Sequence, residues 1–124
     1  MKKFEFTLQT LYDVKSGEAD VLQEELGALV AKRKALEMLI ESLVEKQKES
    51  FEDSQKKSAS GIPAFDAIRR ARYRDALIRD RENAEEELSE LLELIAEYQK
   101  RILRIMNELD VLDERREEQY QEYL

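Results

Sequence analysis

The side chains able to do chemistry in this sequence are carboxylates and guanidinium groups, and little else. Its 124 residues include no histidine, no cysteine and no tryptophan. Ser-His-Asp triads and thiol nucleophiles are thereby excluded, as are the Cys/His ligand sets of structural zinc. Glu37, Glu41, Glu45 and Glu49 recur every four residues, which places four carboxylates along one helix face. Such a run could feed a di-metal carboxylate centre in a helix bundle, but that centre also needs Glu-x-x-His. There is no glycine-rich phosphate loop. The expectation is a protein that is not an enzyme, with no cofactor and no metal.

The second chemical feature is basic. Arg69-Arg70-Ala71-Arg72-Tyr73-Arg74 combines cations with a ring that could stack on a base, the makings of an RNA-binding stripe. Residues 66–81 carry six Arg against three Asp, whereas 82–124 carry fourteen acids against five bases. The net charge of −8 opposes general binding to phosphate backbones. Arginines lying opposite Glu37–Glu49 would relieve the repulsion within that run, which is the favoured role for them. RNA binding through Arg69–Arg81 is therefore a minor alternative, and no nucleic acid is expected as a partner.

These residues must be positioned by helices. Charged residues make up 40% of the chain against about 25% in ordinary domains, and three glycines and one proline are too few for the turns of a sheet. One break is visible, from Ser54 to Phe65, containing Gly61-Ile62-Pro63. Pro63 suits a first helical turn, Ile62 before it is biased out of the helical region, and Asp66 suits the positive helix start. The reading is all-α: a single domain over 1–124, a long antiparallel two-helix coiled coil or helical hairpin. Helix 1 spans about 7–56, the turn about 57–63 and helix 2 about 64–122. Thr7 is the expected N-cap of the first helix, with Phe6 and Leu11 at the spacing of a hydrophobic staple.

A seam runs through Leu8, Tyr12, Lys15, Ala19, Leu22, Leu26, Leu29, Arg33, Leu36, Ile40, Leu43, Gln47 and Ser50, in steps of four and three. The second helix answers with Leu88, Leu91, Ile95, Tyr98, Ile102, Ile105, Leu109 and Leu112. A reversal near Ser58 predicts Leu22 against Ile95, Tyr12 against Ile105 and Leu8 against Leu109, with Lys32 near Glu87 and Glu18 near Arg101. That register leaves Phe4, Phe6 and the stretch from about Val111 to Leu124 unpaired at the open end. Near the turn it sets Leu36 against Arg81, Leu43 against Arg74 and Arg33 against Ala84. An arginine-bearing seam with apolar groups beside it means either a local phase shift, the favoured reading, or a partner-docking patch. The patch would use residues such as Leu39, Leu43, Tyr73 and Leu77.

No apolar core of a signal peptide follows the basic start Met1-Lys2-Lys3, and no run approaches the ~18 apolar residues of a membrane span. The sequence reads as soluble and cytoplasmic, without membrane insertion. Its most specific string is Phe4-Glu5-Phe6-Thr7-Leu8-Gln9-Thr10-Leu11-Tyr12-Asp13-Val14-Lys15. This resembles the start of the flagellar export protein FliJ family, whose members open on an F-x-F-x-L-Q-x-L-x-D-like pattern before a long helix. Two long helices, a central break with Gly61-Ile62, and an aromatic then a leucine downstream (Tyr73, Leu77) are similar to that family as well. The Lys/Glu-rich tail typical of the family is not found before the last residues, Glu122-Tyr123-Leu124.

The resemblance implies a non-enzymatic coiled-coil stalk of the bacterial flagellar type III protein export apparatus. It would couple the hexameric export ATPase FliI to the export gate protein FlhA, at the cytoplasmic face of the apparatus, with export chaperones as further partners. Virulence-secretion stalks of the YscO type are the next closest resemblance. Carried over by position, the gate would meet Leu39, Leu43, Phe51, Tyr73 and Leu77, and the ATPase would meet Phe4, Phe6, Leu8 and Leu11. The alternative outside that resemblance is a generic adaptor whose hairpins dimerise into a four-helix bundle. The expected state is a monomer or a homodimer.

Overall fold

The computed structural model describes residues 6–124, and Phe4 lies outside them. The protein is an all-α helical hairpin of two helices, α1 (Gln9–Ser60, 52 residues) and α2 (Ala64–Tyr123, 60 residues), which pack against each other. Both are amphipathic, and neither contains an internal proline. The reversal is short. Gly61 adopts φ 80°, a left-handed conformation that glycine enters without a Cβ clash, and its N–H donates to the Ser58 carbonyl at 3.3 Å. The Pro63 carbonyl accepts from the amides of Asp66 and Ala67, each at 3.1 Å, so Pro63 sits one step ahead of the expected first turn, as the N-cap residue.

Thr7 does not cap α1. The first intrahelical bond runs from the Tyr12 amide to the Leu8 carbonyl at 3.0 Å, and the Thr7 hydroxyl instead accepts from Gln119 Nε2 at 3.0 Å. A cross-helix amide has taken the place of the local cap. The expected staple is also undone, because Phe6 is buried while Leu11 is exposed.

Packing divides into two units, Met1–Val30 with Glu93–Leu124, and Ala31–Leu92. In the first, Ala19, Ile105 and Leu109 form a buried cluster flanked by Tyr12 and Leu22. Around it Lys15 Nζ meets Glu108 Oε2 at 2.7 Å, Tyr98 Oη donates to Glu25 Oε2 at 2.9 Å, and the Arg116 guanidinium lies 5.2 Å from the Tyr12 ring centroid. In the second unit, Leu43, Leu77 and Ala84 form the buried cluster with Ile40 against it.

These contacts correct the expected register by one heptad. Ile105 packs at Ala19 rather than opposite Tyr12, and Tyr12 lies under Arg116. Leu43 meets Leu77 and Ala84 rather than Arg74. The cause is the position of the reversal. α1 continues to Ser60 and the chain folds back around Ile62, so the α1 arm gains about half a heptad and the α2 arm loses as much, which offsets the pairing by one heptad. The stretch after Val111 is consequently paired: Leu112 is buried, and Gln119 reaches Thr7. Of the two predicted charge pairs, Lys32–Glu87 forms at 3.5 Å, whereas Arg101 turns to Glu97 in its own helix at 2.8 Å.

Gly17 and Gly27 lie in mid-helix, and a Cβ built on either meets nothing within 4 Å. Gly17→Ala and Gly27→Ala should each raise stability by about 0.5–1 kcal/mol, read as a higher urea midpoint by circular dichroism.

Candidate protein-docking surface

Residues seven apart on α1 and α2 define two flanks beside the seam of the turn-proximal unit. One carries Lys32, Leu39 and Asp53 from α1 with Asp66, Tyr73, Asp80 and Glu87 from α2. Its grooves are lined by Leu39, Asp80 and Glu87 at one level and by Asp53, Arg69 and Tyr73 at another. The opposite flank carries Val44 and Phe51 from α1 and Ala71 and Ile78 from α2.

The five residues assigned to the gate are not one surface. Leu43 and Leu77, 6% and 5% exposed, are core and unavailable to a partner. With the register moved by a heptad, Leu43 packs between Leu77 and Ala84 while Arg81 turns to Gln47, which is how the apolar residues of this half reach the interior. Leu39 and Tyr73 are half exposed and share the first flank, about eleven residues apart along the helices, roughly 16 Å. Phe51 is equally exposed but on the opposite flank, beside Val44 and Ile78, which the sequence reading had not grouped with it. Their seven-residue spacing held that signal, but it is legible only once the seam is known.

The residues assigned to the ATPase separate too. Phe6 is buried, Leu8 is half-buried and Leu11 is exposed. Phe6 is covered because the corrected register brings the end of α2 alongside the start of α1. With Leu11, Leu8 borders a groove completed by Val111, Leu112 and Arg115. Leu8 and Leu11 remain accessible at that end.

Three of the six arginines of the basic segment are engaged by neighbouring side chains. Arg70 Nη1 meets Asp53 Oδ2 at 2.6 Å, its Nε meets Asp66 Oδ2 at 3.0 Å, and Arg69 meets Asp66 at 2.7 Å. Arg81 bonds Glu85 at 2.9 Å and Gln47 at 3.2 Å. The arginines therefore answer Asp53, Asp66 and Glu85 rather than the Glu37–Glu49 run. Among the described residues, Arg72, Arg74 and Arg79 make no ion pair. Hydrogen bonds from Arg70 hold the Asp53 carboxyl below its ordinary range, and those from Arg70 and then Arg69 do the same for Asp66, while Arg70 is raised. A carboxylate with a depressed folded value stabilises the fold above its unfolded value of about 3.9, and that contribution disappears as pH falls through the folded value. Acid titration should loosen this unit below about pH 4, and Arg70→Met should flatten the dependence, as followed by thermal melts from pH 2 to 7.

Among the described residues there is no group of three or more carboxylates placed to hold a metal ion, and no helix is long and apolar enough to cross a membrane. Set against known protein families, curated proteins and solved structures, the chain matches none.

Proposed function

We propose that this protein is a non-enzymatic helical-hairpin stalk of the bacterial flagellar type III export apparatus, linking the export ATPase FliI to the export gate protein FlhA. One observation carries the reading: two uninterrupted helices of 52 and 60 residues, offering flanks and ends to other proteins. The opening string from Phe4 to Lys15 supplies the resemblance to the FliJ family. Leu8 and Leu11 at the open end serve the ATPase, and Leu39 and Tyr73 near the turn serve the gate. Leu43 and Leu77 act by holding that flank together.

The test is a titration of purified protein into the export ATPase. Hydrolysis should rise or ring assembly should increase, and Leu11→Ala should reduce the effect. Tyr73→Ala should weaken capture of the gate protein's cytoplasmic part while leaving helicity unchanged. No response of the ATPase at saturating protein would sink the stalk reading in both its flagellar and its virulence-secretion form. The adaptor reading would then stand, favoured by the apolar flank of Val44, Phe51 and Ile78.

A further inference from the structure

The seam of the turn-proximal unit is polar over its last turns. Gln47, Ser50 and Ser54 of α1 and Arg70 of α2 occupy its half-buried positions, with Asp66 half-buried beside them, and Ala71 alone is partly covered between Arg70 and Leu77. Two helices meeting through such residues bury little apolar area, although helices of this length depend on that burial. One flank is closed by the Lys32–Glu87 and Asp53–Arg70 pairs. On the other, no ion pair joins the helices among the described residues, and Val44, Phe51, Ile68 and Ile78 stand 39–55% exposed.

Charges at the middle of this open flank identify its occupant. Asp53 pairs with Arg70, and five residues further from the turn on each helix come Lys48 and Asp75, at one level. Neither has an ion-pair partner among the described residues. Both lie beside the row of Val44, Phe51, Ala71 and Ile78, one on each helix, on the side turned away from the seam.

We infer that this flank pairs with the same flank of a second copy of the chain. The two hairpins lie parallel with their turns at the same end, α1 of each against α2 of the other. A two-fold axis along the helices then brings Lys48 of one copy to Asp75 of the other, twice. The same operation sets Val44 against Ile78 and Phe51 against Ala71 and Ile68. Glu41 and Glu82 meet as like charges at the far edge, which confines the contact to the turns near the reversal. So small an interface gives a reversible dimer in the micromolar range rather than an obligate one. Pairing leaves Leu39 and Tyr73 free on the other flank, and it does not depend on the stalk reading because it is read from mass rather than from hydrolysis.

Sedimentation equilibrium of the full chain at concentrations on the order of 1–100 µM tests this. Average mass should climb towards that of a dimer. Lys48→Glu and Asp75→Lys should each weaken association at least about tenfold, since each places two like-charge contacts in the interface. An equimolar mixture of the two variants should regain association, because in the mixed dimer both contacts again join opposite charges. Phe51→Glu should leave a monomer of unchanged helicity, since Phe51 is exposed in the single hairpin. A chain that stays monomeric throughout the range overturns the inference. So does a dimer indifferent to Phe51→Glu, or a mixture of the charge variants that does not associate.

Discussion

Leu77→Ala, and separately Leu43→Ala, should each lower the stability of the hairpin by about 2–4 kcal/mol, measured as a loss of urea midpoint by circular dichroism. The two side chains pack on each other and on Ala84, with Ile40 closing the cluster, and both are nearly inaccessible to water. Truncating either removes apolar contact and leaves a space that one pair of helices cannot refill, because the neighbouring seam residues Arg81 and Gln47 are polar and bonded to each other. Tyr73→Ala, only one turn of α2 away, should change stability by no more than about 0.5 kcal/mol, since Tyr73 is half exposed. The contrast separates packing from docking. Equal losses at Tyr73 and Leu77 would mean that this half is not packed as described.

The second large effect belongs to the unit holding both chain ends. Ala19 is 4% exposed between Ile105 and Leu109, so Ala19→Leu forces extra volume into a filled site at a cost of about 1–3 kcal/mol. Ile105→Ala should cost about 2–4 kcal/mol by the opposite route. Combined, the two should cost less than their sum, because the added leucine occupies space vacated by the isoleucine; the coupling falls in the range of about 0.5–2 kcal/mol. With the helices paired one heptad away, Ile105 would sit opposite Tyr12, and the two substitutions would simply add. The double-mutant cycle therefore reads the register directly.

Register is also what separated the sequence reading from the structure. The two helices, their break at Gly61-Ile62-Pro63 and their antiparallel pairing were all visible in the order of residues, because 3.5-residue spacing and turn chemistry are local signals. Lys32–Glu87 was found, although from a neighbouring register, since long flexible side chains tolerate an offset of a few residues. Leu43 and Leu77, which follow the seam spacing, were open to a partner only in the docking-patch alternative and the carried-over gate assignment, and Phe6 in the unpaired open end, for the same reason. A reversal assumed near Ser58 instead of around Ile62 mispaired every layer by seven residues.

What the order of residues determined alone was the class of molecule: an all-helical hairpin, lacking the side chains of triad, thiol and zinc-finger chemistry, with an apolar stripe along each helix. Which stripe residues are core and which are surface was decided only by the fold. A heptad pattern is unchanged when one helix slides by seven residues past the other, so periodicity cannot choose among such pairings. The left-handed Gly61, the Lys15–Glu108 and Asp53–Arg70 bridges and the fit of Ala19 beside Ile105 break that equivalence, and each requires both helices to be in place.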